Sequence, residues 1–388
     1  MKYDFDTPID RRGTASLKWD VQPGELAMWV ADMDFSAAPE ILAAMQKRLE
    51  HGVFGYGDVP KAWYDAYLRW WKTRHDFAMR RDWLIFCTGV VPAISSIVRK
   101  LTTPNENVLL QTPVYNIFFN SIVNNGRRVL ESPLRYENGA YAIDWGDLEA
   151  KLSDPQTTLM ILCNPHNPIG KIWDRETLQR LGGLCEKHHV TVLSDEIHCD
   201  LCAPGKEYVP FLSASKACER VGIACLAPTK AFNLAGLQTA AVAVKNPVLR
   251  HKVWRALNTD EVAEPNAFAV PAAVAAFTEG ASWLDALRAY VFENRAFAAA
   301  YLREHLPAVS VVEAEATYLL WIDVSAVTSD GTALCEAIRS TTGLYLSAGA
   351  SYGEAGRAFL RMNLACPRAY VSDGVMRLVR GVKDFLNE

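Results

Sequence analysis

The chain carries no surplus of positive charge. Its 40 Lys and Arg stand against 44 Asp and Glu, a formal net charge of −4, which leaves no electrostatic footprint for nucleic acid or an anionic membrane surface. Long apolar runs are missing too: stretches such as Phe268 to Phe277 fall far short of the ~20 residues needed to cross a bilayer. The segment Met1-Lys2-Tyr3-Asp4-Phe5-Asp6 has no apolar signal-peptide core, so a cytoplasmic protein is expected. Nine cysteines, an odd and irregularly scattered set, do not describe a disulfide framework; they are expected to be reduced and packed as small hydrophobes. His198, Cys199 and Cys202 place a histidine beside a C-x-x-C pair, but no second such pair completes a tetrahedral site, and no metal is expected.

What is present is an ordinary globular composition, 50% hydrophobic and 22% charged over 388 residues, long enough for two structural domains and a large core. Seven short apolar runs recur: Trp83 to Cys87, Val108 to Gln111, Arg128 to Ser132, Leu159 to Leu162, Thr191 to Ser194, Gly222 to Leu226 and Thr239 to Val244. Helical patterns separate most of them, which predicts an α/β protein with a mostly parallel seven-stranded sheet covered on both faces. The last run follows its predecessor with no room for a helix and is expected to pair antiparallel. Further on, Pro265 to Thr278, Ser282 to Glu304 and Ser372 to Phe385 show helical patterning, Val309 to Asp323 looks extended, and a long helix is expected near Asn246 to Glu264. Ligands of such sheets sit beyond the carboxyl ends of the strands. Gly89, Asn167, Asp195 and Lys230 all fall just after apolar runs.

Lys230 lies in Ala227-Pro228-Thr229-Lys230-Ala231-Phe232-Asn233-Leu234-Ala235-Gly236, where a strand would deliver one amine into a cleft. Such an amine can form a Schiff base, and desolvation readily lowers its pKa; a solvated surface lysine is the alternative. Asp195, in Ser194-Asp195-Glu196-Ile197-His198, ends a buried strand, where a carboxylate is costly unless paired. A protonated pyridine nitrogen is a suitable partner, and capping of the next turn is the competing reading. Upstream of both, after the apolar run Leu159 to Leu162, stands Cys163-Asn164-Pro165-His166-Asn167-Pro168-Ile169-Gly170.

The order N-P-x-N-P-x-G, S-D-E-I-H, A-P-T-K-x-F-N-x-A-G resembles fold type I pyridoxal phosphate enzymes, with an aspartate aminotransferase-like fold. More closely, it resembles the MalY/PatB group of cystathionine β-lyases and cysteine desulfhydrases. Met28-Trp29-Val30-Ala31-Asp32-Met33-Asp34-Phe35 is similar to that group's hallmark, as are Gly52 to Tyr56, Thr112-Pro113-Val114-Tyr115 and Phe359 to Arg368. The matches run from about Tyr3 to the C-terminus. The resemblance implies a large cofactor-binding domain over 46–275 and a smaller α/β domain from 1–45 with 276–388. It implies a homodimer with the active site at its interface, an amino-acid substrate, and cleavage of L-cystathionine, cysteine S-conjugates or L-cysteine to a thiol, pyruvate and ammonia.

It also implies roles residue by residue. Lys230 holds the cofactor aldehyde and later acts as general base. Asp195 faces the ring nitrogen, Asn167 its phenolic oxygen, and Tyr115 stacks on the ring. The amides of Gly89, Val90 and Val91, at a strand-to-helix turn, and the Thr229 hydroxyl meet the phosphate, and Tyr56 reaches a phosphate across the dimer interface. His198 stands where many aminotransferases have a tyrosine. Arg361 takes the substrate carboxylate with its guanidinium fork, with Trp29, Ala31 and Asp32 beside it. An ordinary loop at Gly89, a core tyrosine at 115, a packed histidine at 198 and a surface arginine at 361 are the plainer alternatives. Many aminotransferases carry an arginine eight residues after the lysine; here that residue is Gln238, a departure that fits the lyase group. An aminotransferase on the same fold is the main rival, and a regulatory partner-binding protein the remote one.

Overall fold

All seven apolar runs become strands of one sheet. The computed structural model describes residues 3–387. The strands are β1 (Leu84–Cys87), β2 (Asn107–Leu110), β3 (Arg128–Glu131), β4 (Thr157–Cys163), β5 (Thr191–Asp195), β6 (Gly222–Leu226) and β7 (Ala240–Ala243). Their order across the sheet is β1-β7-β6-β5-β4-β2-β3. Neighbours from β6 to β3 are parallel, and β7 runs antiparallel to β6 and β1, as the short connection after β6 requires. Successive side chains of a strand point to opposite faces, and the cores follow that alternation. Met160, Leu162, Val192, Ala224 and Leu226 join one hydrophobic cluster; Leu159, Ile161, Leu193, Ile223 and Cys225 join another. Helices Lys61–Arg74, Arg175–Lys187 and Ala269–Glu279 cover the first face, Val90–Leu101 and Pro247–Thr259 the second. All nine cysteines are free and buried.

A second, antiparallel sheet has the order β8-β9-β11-β10, formed by β8 (Ser310–Val311), β9 (Leu319–Asp323), β10 (Ser347–Ala348) and β11 (Phe359–Asn363). Leu320, Ile322, Leu360 and Met362 pack under helices Gly331–Thr342 and Arg368–Asn387, while Trp321 and Phe359 on the opposite face join the core of the large sheet. The alternation puts Arg361 and Asn363 on that opposite face too. The region from Val309 to Asp323 is not one extended run. It breaks after Val311, and Glu315 and Ala316 donate to Gly170 O while Thr317 donates to Leu201 O.

The expected long helix over Asn246 to Glu264 stops at Thr259. Glu261 takes a left-handed φ of 56°, and the chain turns back so that Val262 O receives the Thr88 amide beside Gly89. The element that spans both cores is instead Ala281–His305: Trp283, Leu284 and Leu287 pack with the large sheet, Ala298 and Leu302 with the small one. Among the described residues, no helix is long and apolar enough to cross a membrane.

Candidate active site

Six strands of the large sheet end at one edge, and the loops that leave them carry the predicted chemistry. Asp195 closes β5 between Cys163 of β4 and Cys225 of β6. It is 4% exposed, and its Oδ1 accepts the Ile197 amide at 3.0 Å. Burial pushes its carboxyl up to about 7, against the pull of that amide and of the Lys230 charge. Lys230 follows β6 and is pushed down to about 8, first by burial and then by the Arg361 charge, while Asp32 and Asp195 oppose the shift. Its Nζ donates to the Ala31 carbonyl at 2.5 Å.

The loop after β4 turns at Gly170, whose φ of 69° and crowding explain the final glycine of its motif. A Cβ there would lie 2.4 Å from that of Ala314 and 2.7 Å from Ala316 O. The turn sets Asn167, also buried, so that its Oδ1 accepts from Arg361 Nη1 at 3.3 Å. Arg361 Nη2 donates to Trp29 O at 2.8 Å, its guanidinium lies 4.8 Å from the Tyr352 ring centre, and its buried Nε has no partner among the described residues. A cation placed so, with a donor to spare, suits a carboxylate ligand.

Residues Trp29 to Asp34 form a strap between the sheets. Asn363 Nδ2 donates to Val30 O and Asp32 O, Asn233 Nδ2 to Met33 O and Phe35 O, and Tyr318 Oη to Ala31 O at 2.9 Å. Below the strap, Asp34 takes Lys18 Nζ at 2.7 Å, Trp19 Nε1 at 2.8 Å and Arg11 Nη1 at 2.8 Å; Arg11 also pairs with Asp32 at 2.6 Å. Lys18 and Asp34 are both almost fully buried.

Trp29, Ala31, Tyr115, Lys230 and Arg361 together line a cavity of about 500 Å³. The Tyr115 phenol is pushed up to about 12 by burial and keeps its proton at neutral pH. Asp32 borders a smaller neighbouring cavity with Arg11 and Asn233. Gly89 caps helix Val90–Leu101 with extended backbone, and a Cβ there would crowd Pro92 Cδ at 3.1 Å. Val90 and Val91 supply the first helical amides, and Thr229 is buried next to Lys230. His198 packs edge-on to Tyr318 at 6.2 Å; burial, aided by the Lys230 and Arg361 charges, pushes it down to about 3. The neutral form of the ring is therefore the favoured one at physiological pH. Tyr56 is fully exposed and away from this cavity. Gln238 is exposed as well, in left-handed backbone.

Cys199 lies near His75 and Asp200, where Asp200 already accepts from Trp70 Nε1 at 3.0 Å and meets His75 Nε2 at 2.9 Å. Tyr318, Asn233 and Asn363 are parts of the site that the sequence did not single out. Asn363 had a signal, a polar side chain within the apolar pattern Phe359-Leu360-Arg361-Met362-Asn363-Leu364.

The family model for aminotransferase class I and II matches residues 28–378. The chain belongs to that family. Cystathionine beta-lyase PatB of Bacillus subtilis is 42% identical over 97% of this chain and 98% of its own length. Protein MalY of Escherichia coli is 32% identical over 98% of this chain and 99% of its own. Among solved structures, cystalysin from Treponema denticola, which contains a pyridoxal 5'-phosphate cofactor, superimposes with a TM-score of 0.96. It is 32% identical, and the match covers 99% of this chain and 100% of that one. Within the family the chain therefore belongs with the MalY/PatB group.

Proposed function

We propose that this protein uses pyridoxal 5'-phosphate to cleave the Cβ–S bond of L-cystathionine or related cysteine S-conjugates, with water, to a thiol, pyruvate and ammonia. The observation that carries this reading is the meeting of Lys230 and Arg361 on one cavity, with Asp195 buried behind Lys230. The names of the relatives, a cystathionine β-lyase and a cofactor-bearing cystalysin among them, support the same chemistry. The residues fit the cofactor. A carboxyl raised to about 7 lacks a cationic neighbour strong enough to hold it ionised, and a pyridinium nitrogen supplies one. When bound, the cofactor supplies an electron-withdrawing ring that accepts the charge left at the substrate α carbon.

In this reading Lys230 would hold the cofactor and serve as the base that removes the substrate α proton; its depressed pKa keeps a useful fraction neutral near pH 7 to 8. Arg361 would fix the substrate carboxylate, with the backbone of Trp29 and Ala31 beside it, and so orient the α C–H bond for proton removal, while Asp32, paired with Arg11 on the neighbouring cavity, holds the strap in place. The sulfur leaves with the bonding electron pair, and the Lys230 ammonium returns a proton to it. Asn167 would meet the phenolic oxygen, Tyr115 would pack on the ring, and Gly89, Val90, Val91 and Thr229 would receive the phosphate at a helix N-terminus. His198 acts as neutral packing behind Lys230. Exposed Tyr56 completes the site of a second copy in a homodimer. The division into 46–275 and 1–45 with 276–388 belongs to the same proposal.

Incubation with L-cystathionine and no keto acid tests it. Many equivalents of pyruvate per chain are expected. A single equivalent of keto product, with the cofactor left in its amine form, would show an aminotransferase instead.

A further inference from the structure

The cavity that holds Lys230 and Arg361 at one end is walled at the other by helix Gly331–Thr342, through Thr332, Cys335, Glu336 and Arg339. Nothing in the reaction described above uses that wall. Arg339 is nonetheless held as firmly as a binding residue. Its Nε and Nη2 donate to the two oxygens of Glu25 at 2.6 and 2.9 Å, and its guanidinium lies 3.6 Å from the centre of the Tyr345 ring. Tyr345 in turn stacks on Trp29, with centroids 4.8 Å apart and planes 17° from parallel. Trp29 O is the acceptor for Arg361. Two guanidinium groups are thus fixed at either end of a stacked aromatic pair, both facing one cavity. The Glu25 side chain is only 12% exposed, whereas Arg339 keeps 37%. Glu336 is exposed one turn earlier on the same helix.

We propose that Arg339 and Glu336 form a subsite for the far arm of the substrate, selecting thioethers whose second arm also ends in an amino-acid headgroup. The inference rests on the lyase reading above for the near arm. A cysteine or alkyl conjugate has one carboxylate and needs only Arg361; a thioether joining two amino acids has two, spaced to meet both guanidinium groups. Arg339 takes the distal carboxylate as a charge-assisted pair, and Glu336 takes the distal ammonium. The stacked Tyr345 and Trp29 give the methylene linker an apolar floor.

The test compares S-(3-carboxypropyl)-L-cysteine with S-butyl-L-cysteine, which differ in the distal charge, on the cofactor-loaded enzyme. Dissociation constants are read from the cofactor's absorbance change, and pyruvate release is followed separately. The native enzyme is expected to bind the carboxypropyl compound about tenfold more tightly, and Arg339→Gln to bring the ratio near one while butyl binding stays within about twofold. Glu336→Gln is expected to weaken cystathionine but not the carboxypropyl compound, which lacks the distal ammonium. Equal affinities in the native enzyme, or parallel losses for both ligands in Arg339→Gln, would overturn the subsite. Retained discrimination with no pyruvate from either compound would support it and overturn the lyase reading alone.

Discussion

Lys230 and Tyr318 donate to the same atom: Nζ lies 2.5 Å and the tyrosine Oη 2.9 Å from the carbonyl oxygen of Ala31. The pairing has a consequence when Lys230 turns to the cofactor. A buried carbonyl that loses its partner is costly, and Tyr318 remains to satisfy it. Tyr318→Phe should therefore reduce the stability gained on cofactor loading by about 1–2 kcal/mol, while the cofactor-free protein changes less. Thermal melts of both forms, native and variant, measure the difference. Lys230→Ala removes the other donor and the base, and is expected to lower turnover by at least about 10³-fold and to abolish the visible band of the lysine-bound cofactor. Retention of that band would remove Lys230 from its assigned role.

Arg361 bridges Trp29 O and Asn167 Oδ1 through its two terminal nitrogens, so it both recognises a carboxylate and holds the strap. Arg361→Gln should raise KM for any cysteine thioether about 100-fold and leave the cofactor band in place. Arg361→Lys should not restore KM, because a point charge cannot span both partners. A KM for Arg361→Lys close to the native value would make the residue a simple charge rather than a fork.

Asp195 links function to pH. Its carboxyl is pushed up to about 7 from an ordinary 3.8 by burial. Below about pH 4 it is protonated in folded and unfolded chains alike and contributes nothing. Between about pH 4 and 7 the unfolded chain has lost its proton and the folded one has not, so the cofactor-free protein loses stability as pH rises. Glu196, raised to about 8 by burial, adds the same trend over a slightly higher range. Asp195→Asn removes the first contribution only. Its melting temperature should gain on the native value from about pH 4 to 7 and then run level. With cofactor bound the order reverses in function: turnover should fall roughly 10²- to 10³-fold. Parallel melting curves across that range would contradict the buried-acid account.

How much of this was legible beforehand depends on where each residue's partners lie. Six of the seven strands could be read because each is a short apolar run largely buried on both faces, the edge strand Arg128–Glu131 being only partly buried, and Asp195 and Lys230 because each closes or follows such a run. The C-terminal limit of helix Pro247–Thr259 could not be read. It ends where Val262 O turns back to the Thr88 amide, a contact more than 170 residues away in the chain that leaves no periodic trace. Tyr318 and Asn233 were missed for the same reason: their partners, Ala31, Met33 and Phe35, stand 287 and about 200 residues away. The break between β8 and β9 was hidden because its backbone is satisfied by Gly170 and Leu201, outside the run.

Tyr56 sits on the segment Gly52 to Pro60, which has no regular secondary structure and carries exposed Val53 and Phe54. A tyrosine fully exposed on one chain, beside exposed apolar neighbours, fits a surface that a second copy covers. If each site combines Lys230 of one chain with Tyr56 of the other, Lys230→Ala and Tyr56→Ala can complement. Each variant alone should be near background. Dissociated and reassociated in equal amounts, half of the dimers are mixed, and each mixed dimer has one site with both native residues. Recovered activity should approach about 25% of the native value. Sedimentation of the mixture confirms that dimers have re-formed. Dimers that regain no activity would mean that Tyr56 serves the site of its own chain or none, whereas an exclusively monomeric native enzyme with full turnover would remove the shared site altogether.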